Sequence, residues 1–210
     1  MAERFSWLES LLRPASLPAS PEDFFARLPV IDTPRLTLRR MRMQDAPDIY
    51  AYSKDPEVAR HVLWDAHASI WDSRAYLRFI LRQYRSGQPS SWGIEEKGTG
   101  RLIGTIGYMW YSGENSTVEL GYSLARDRWN QGYMTEALQA VLQETFEVLH
   151  INRAEAQHFT DNPASGRVML KCGMTLEGTL RQRIFHRGQF RDVSLWAITR
   201  ADWEKQHRST

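Results

Sequence analysis

The chain of 210 residues has a single cysteine, Cys172, which excludes an internal disulfide framework and a cysteine-rich metal cluster and suits a reducing compartment. It lacks any apolar run of roughly twenty residues, so no membrane helix is expected. The opening stretch MAERFSWLESLLRPASLP is not built like a signal peptide, and the expected address is the cytoplasm. An excess of one charge is also missing. With 27 Lys and Arg against 25 Asp and Glu the net charge is +2, and the bases are dispersed among the acids, so the footprint of a nucleic-acid duplex is not visible. His61 and His67 in ARHVLWDAHASIW follow no standard metal-ligand spacing, and no metal is expected.

What is present suits one globular domain, residues 31–205, preceded by an appendage, residues 1–30. The appendage holds two amphipathic pieces, FSWLESLL and PEDFFARL, separated by RPASLPASP. Its Phe5, Trp7, Phe24 and Phe25 either cover a patch of the domain or mediate self-association, so a monomer and a homodimer both stay open. RLTLRRMR alternates and reads as a strand, followed by helices in DAPDIYAYS, DPEVARHV and SIWDSRAYLRFILRQY. SSWGIEEK, RLIGTIGYMWY and TVELGYSLA read as three strands parted by turns. In YMTEALQAVLQETFEVL, the spacing of Leu138, Val141, Leu142, Phe146 and Leu149 predicts a helix. RAEAQHF is a strand and NPASGRVMLKC a helix, while TLEGTLRQRIF and QFRDVSLWAIT form a closing hairpin about residues 186–188. Strands before, between and after helices predict an α/β (α+β) fold with a mixed sheet of six or seven strands flanked by helices.

One stretch, ELGYSLARDRWNQGYMTEAL at residues 119–138, passes from alternation through a polar, basic turn into the helix pattern, with Gly132 at the handover. A helix start leaves about four backbone N–H groups without intrahelical partners and carries roughly half a positive charge, which makes it an anion site by construction. Gly132 has no Cβ, so the chain can turn there and a phosphate can approach the backbone. Read alone, such a glycine is turn punctuation before an amphipathic helix.

A second signal lies downstream. TVELGYSL, RDRWNQGYMTEAL and TDNPASGRVMLKCGMTLEGTL together resemble the GNAT superfamily of acyl-CoA-dependent N-acyltransferases, and are especially similar to its branch of ribosomal-protein N-terminal (RimJ/RimL-like) acetyltransferases. The resemblance runs from IDTPRLTLRRM to HRGQFRDVSLWAITRADW. It implies a mostly antiparallel sheet, acetyl-CoA (coenzyme A) as co-substrate and no metal. The family's pyrophosphate loop, an Arg or Gln, two residues, Gly, one residue, then Gly or Ala, reads here Trp129, Asn130, Gln131, Gly132, Tyr133, Met134. Only the central glycine keeps the strict pattern, but backbone amides do the binding, and the resemblance assigns it to Asn130, Gln131, Gly132, Tyr133, Met134 and Thr135. It also places Asn162 and Ser165 against the pantetheine or phosphate side of coenzyme A. Without the resemblance, Asn162 is the cap of its helix. Tyr122, Ser123 and Leu124 take the positions that line the pantetheine arm where the sheet splays, and a backbone N–H near Ser123 is expected to face the thioester oxygen.

Glu119 matches the place where several members of the superfamily hold a glutamate general base; otherwise it is a strand glutamate facing solvent, with Val118 and Leu120 on the opposite face. The tyrosine that many members use as general acid, seven residues after the asparagine, is Met169 here. The resemblance then implies that the thiolate leaves without a protein acid or that Ser165 replaces the tyrosine. Trp64, Tyr108 and Trp110, with Trp71 and Tyr111 nearby, read as core or as the wall of an acceptor groove, and Cys172 as a small hydrophobe. The function so implied is acetyl transfer from acetyl-CoA to an amine, foremost the α-amine of a peptide or protein N-terminus, as in the ribosomal-protein alanine and serine acetyltransferases. A small-molecule amine, such as an antibiotic or polyamine, is the alternative acceptor. From another class comes an acyl-CoA-binding module without turnover, which Met169 favours and Glu119 and Ser165 oppose.

Overall fold

The computed structural model describes residues 20–207, and a Ser-Pro pair opens the first of the described helices. Ser20 is extended, its hydroxyl accepts from Asp23 N at 3.2 Å, and Pro21 occupies the first helical turn, where its missing N–H costs nothing. This helix, α1 (Pro21–Ala26), falls within residues 1–30 and buries Phe24 and Phe25 in the core. Phe24 meets Trp92 edge-on at 6.2 Å between centroids, and Phe25 meets Tyr108 at 5.4 Å. Phe5 and Trp7 lie outside the described residues.

Strands β1 (Ile31–Asp32) and β2 (Leu36–Arg39) lead into helices α2 (Ala46–Ser53), α3 (Pro56–Ala59) and α4 (Ile70–Ser86). The last of these is framed by a Ser69 and Asp72 capping box and by Gly87 in the left-handed region. Next come β3 (Ser91–Glu96), β4 (Arg101–Ser112) and β5 (Thr117–Leu124), then α5 (Tyr133–Gln143), β6 (Arg153–Phe159), α6 (Pro163–Lys171), β7 (Thr175–His186), β8 (Gln189–Thr199) and α7 (Arg200–His207). Among the described residues, eight strands form one sheet in the order β1-β2-β3-β4-β5-β6-β8-β7. Every neighbouring pair is antiparallel except β5 and β6.

The class expected from sequence and resemblance is the one observed, with eight strands in place of six or seven. The added strand, β1, spans only Ile31–Asp32, too short for alternation to reveal. The helix expected over 133–149 buries Leu138, Val141, Leu142 and Phe146 as its spacing predicts. It widens, however, into a π-turn over Glu144–Val148. There Thr145 Oγ1 bonds back to Val141 O at 2.7 Å and pairs with the buried hydroxyl of Tyr108 at 2.9 Å.

The pairing of β5 and β6 positions the site. Their parallel register runs from Thr117 opposite Arg153 only to Leu120 opposite Ala156. Beyond it each strand keeps its outer neighbour, β5 pairing with β4 as far as Leu124 and β6 with β8 as far as Phe159. The sheet is therefore split by a wedge whose walls are residues 121–124 and 157–159. Backbone groups facing the wedge have no strand to pair with. Among the described residues no helix is long and apolar enough to cross a membrane.

Candidate active site

On one side of the wedge lies the turn into α5. Gly132 has φ 81°, ψ 0° and Asn130 φ 58°, left-handed values that suit glycine and asparagine. The first intrahelical bond runs from Glu136 N to Gly132 O at 3.0 Å, and no side chain caps the helix. Helix geometry thus leaves the N–H groups of Gly132, Tyr133, Met134 and Thr135 to an outside acceptor. The Met134 side chain is buried, so only its amide can serve.

The loop is braced from both flanks. Glu96 accepts from Arg128 Nε and Nη2, each at 3.0 Å, from Tyr133 Oη at 2.9 Å and from Thr99 Oγ1 at 2.8 Å. It therefore ties the residues before and after Gly132 together, and the Arg128 guanidinium, against the cost of burial, holds its carboxyl down at about 2. Arg35 reaches across from β2's approach. Its Nε bonds Glu136 Oε2 at 2.7 Å and its Nη1 bonds Gln131 O at 2.9 Å. Its guanidinium lies 4.2 Å over the Tyr133 ring, with Nη2 3.4 Å from where a Cβ on Gly132 would stand. A cation thus stands beside the free amides. Trp129 Nε1 closes the turn by donating to Leu124 O at 2.8 Å.

Along β5 the bond from Ala125 N to Ile103 O, 2.8 Å, fixes which backbone groups face β4. By strand alternation the groups of Ser123 and Gly121 also face β4, and those of Tyr122 and Leu124 face the wedge. The donor expected near Ser123 is therefore one residue to either side. The Ser123 side chain pairs with Thr105 Oγ1 at 3.1 Å.

Side chains alternate the same way: Val118 and Leu120 are buried, and Glu119 stands on the other face. Glu119 Oε2 accepts from Trp110 Nε1, and Oε1 accepts from Gln157 Nε2 at 2.9 Å. The carboxylate lines a cavity of about 270 Å³ that opens onto the wedge and includes Tyr122, Ser123, His158 and Phe159 in its wall. Trp64 and Tyr108 also line it, and the Tyr108 hydroxyl is committed to Thr145. Trp110 touches the site through Glu119 and otherwise borders a neighbouring groove with Tyr111 and Met109.

His61 also stands at the cavity wall, with Nδ1 3.6 Å from Asp161 Oδ1; burial lowers its pKa, which favours the neutral ring. His67 is turned to Ser73 Oγ at 2.8 Å. Among the described residues no group of three His, Cys, Asp or Glu side chains is placed to hold a metal ion.

On the far wall of the wedge, Asn162 caps α6, with Oδ1 3.5 Å from Ser165 N and Nδ2 donating to Ser165 Oγ at 3.0 Å. Tyr122 Oη donates to Ser165 O at 3.2 Å, and burial raises its pKa. Met169 is 1% exposed and belongs to the core. Burial pushes the Cys172 thiol up to about 12, which leaves it a packed, protonated side chain.

Sequence reasoning passed over Gln157, Arg35, Glu96 and the apolar lining from Leu63, Phe79 and Ile184. None of these carried a sequence signal; Gln157 meets Glu119 only once β5 and β6 are paired, two positions along from Glu155, the register partner of Glu119.

Residues 35–175 match the family model of the acetyltransferase (GNAT) domain. The chain is 33% identical over 172 residues to the uncharacterized N-acetyltransferase YoaA of Bacillus subtilis, covering 82% of this chain and 97% of that protein. It is 28% identical over 186 residues to the ribosomal protein uS5-alanine N-acetyltransferase of Escherichia coli, covering 82% and 92%. A crystal structure of a GNAT-family acetyltransferase from Bacillus anthracis superposes with a TM-score of 0.75 at 26% identity, covering 82% of this chain and 99% of that one.

Proposed function

The chain belongs to the GNAT family of acetyltransferases and is an acetyl-CoA-dependent N-acetyltransferase; from that premise we propose that its acceptor is the α-amine of a peptide or protein N-terminus. Acetyl-CoA supplies an acetyl group activated as a thioester. The uncapped start of α5, with Arg35 beside it, suits the pyrophosphate. The Tyr122 backbone and the Leu124 N–H, which have no strand partner, suit the amide-rich pantetheine arm and provide a donor for the carbonyl oxygen as it gains charge.

The observation that carries the reading is the Glu119 carboxylate, fixed at both oxygens and set in the cavity beside the wedge. The amine lone pair forms the new C–N bond, the C–S bond breaks with its electrons on sulfur, and Glu119 takes the proton from nitrogen directly or through one water. Ser165 Oγ, whose own hydrogen is not used by its Asn162 partner, passes a proton to the sulfur and regains one from solvent. At pH 7 an α-amine with a pKa near 7.8 is roughly a tenth neutral, whereas a lysine near 10.4 is neutral at about a few parts in ten thousand. A carboxylate base suffices for the first and serves the second poorly. The named activity of the Escherichia coli relative, acetylation of a ribosomal-protein alanine, supports this acceptor class. A polyamine fits less well, because Glu119 is the one carboxylate among the cavity's lining residues and a second cation would face apolar walls.

The test incubates the protein with acetyl-CoA and a panel of peptides and small amines, follows thiol release and locates the acetyl group by mass spectrometry. The α-amine of peptides is the expected site. Acetylation chiefly on lysine side chains, or only on small amines, overturns the acceptor. Coenzyme A binding without turnover on any acceptor would assign a binding module instead.

A further inference from the structure

Helix α4 forms one lip of the acceptor cavity through Tyr76, Phe79, Ile80 and Gln83. Its outer face carries Arg74, Arg78, Arg82 and Arg85, and no acid occurs between Asp72 and the helix end at Ser86. At about 100° per residue these four arginines, together with Trp71, fall within an arc of roughly 80°. They make a continuous stripe. Arg78, Arg82 and Arg85 are exposed, and Arg74 lies 4.6 Å over the Trp71 ring. No ion pair among the described residues involves any of them. Like charges at three- and four-residue spacing repel and weaken a helix. The stripe therefore runs against local stability.

It also touches the site. Phe79, 46% exposed, lines the cavity and sits three residues before Arg82 on the helix surface. Trp71, at the far end of the stripe, is 64% exposed. Beginning at Glu119, a chain that leaves the cavity over Phe79 next meets guanidiniums. We propose that this face of α4 receives an acidic segment of the acceptor polypeptide, the residues that follow its reactive N-terminus. The proposal rests on the peptide-acceptor reading above and names the class of peptide.

From Arg74 to Arg85 the helix rises about 16 Å, which an extended chain covers in about five residues. Carboxylates are the complementary groups, since a guanidinium fork takes both oxygens of a carboxylate. The chain's own residues 1–19 bring Glu3 and Glu9 against Arg4 and Arg13, no net negative charge to cover the stripe. A nucleic acid is served less well by a single helix face on a protein with net charge +2, and it has no group for the amine cavity.

Two peptides with the same first three residues are compared as acceptors, one with glutamates and one with glutamines at about positions 4 to 8, the length the stripe spans. The wild type is expected to show kcat/KM about tenfold higher for the acidic peptide at about 20 mM salt, the scale of a few exposed ion pairs, with the ratio falling toward one at about 0.5 M salt. In the full chain carrying Arg78→Gln, Arg82→Gln and Arg85→Gln, with its melting temperature checked, the ratio is expected near one at both salts. A wild-type ratio near one, or a ratio that survives the three substitutions, overturns the docking proposal while leaving the peptide reading standing. Acetylation of neither peptide sinks both. A single-stranded oligonucleotide that binds the wild type but not the variant, with no preference for the acidic peptide, reassigns the stripe to nucleic acid.

Discussion

Gln157 Nε2 donates to Glu119 Oε1 at 2.9 Å at the point where β5 and β6 part. With Trp110 on the other oxygen, the carboxylate is held by donors from both neighbouring strands, so its direction is set before any substrate arrives. Glu119→Gln should lower kcat by about a hundredfold or more, with KM for acetyl-CoA nearly unchanged. Gln157→Leu keeps the base but frees one oxygen, and about a tenfold loss is expected. Steady-state kinetics against pH decide it. Wild-type kcat in Glu119→Gln would move the base to His61, because both ring nitrogens of His158, the other histidine in the cavity wall, are already bonded, to Phe159 O and to Trp196 Nε1.

Gly132 has φ 81°, a region where a β-branched side chain is strained. The space beside it is nearly open, with only Arg35 Nη2 within contact, so Gly132→Val acts on the loop's conformation and on phosphate approach and spares the core. Calorimetry should show acetyl-CoA affinity at least about tenfold weaker, the loss of one or two amide contacts to an anion. Arg35→Ala should weaken it by a smaller factor. Equal affinity for wild type and Gly132→Val, with the fold intact, removes the pyrophosphate from this turn.

Glu96 links the binding loop to acid stability. Its folded-state pKa, about 2, lies below the ordinary 4.5, chiefly through Arg128. The carboxylate therefore stabilises the native state in full above about 4.5, and that contribution fades as pH falls toward 2. Glu96→Gln should cost on the order of 2 kcal/mol near neutral pH, with the gap to wild type closing as pH drops through that window. Melting curves from pH 7 to pH 2.5 test the sign. A gap that widens on acidification would contradict it.

Much of the fold was legible because its signals are local. β6 (Arg153–Phe159) alternates over its first five residues and β8 (Gln189–Thr199) opens directly after the turn at Gly188, and both have the bounds expected from sequence, whereas β1 is too short to alternate. α7, with its apolar residues scattered and none buried, offers no stripe to read. In the site, Gly132 and Glu119 stand out by type and neighbourhood. Arg35 and Gln157 do not, because each acts through a tertiary contact far along the chain, Arg35 on Gln131 and Glu136, and Gln157 on Glu119. The wedge-facing amides of Tyr122 and Leu124 fall within one residue of Ser123, as closely as the sequence could place the donor. Alternation tells which residues share a face, but which set pairs with β4 depends on register, and register is a property of the assembled sheet.

Two hydroxyls compete for the proton that the departing thiolate takes. Tyr122 Oη is buried and raised in pKa, but its hydrogen is directed to Ser165 O at 3.2 Å. Ser165 Oγ instead accepts from Asn162 Nδ2 at 3.0 Å, which leaves its own hydrogen free and makes the hydroxyl a better donor. A tyrosine in place of Met169 would stand in the core, where Met169 is 1% exposed, so overpacking rather than rescue is expected of Met169→Tyr. Ser165→Ala should lower kcat about tenfold and no more, because a thiolate with an ordinary thiol pKa is already a tolerable leaving group near neutral pH. Tyr122→Phe should stay within about threefold of wild type, the cost of one hydrogen bond to a carbonyl. Single-turnover rates at saturating acetyl-CoA separate the two. The reverse order, with Tyr122→Phe slow and Ser165→Ala silent, gives the role to the tyrosine, and two silent variants leave the thiolate to be protonated by water.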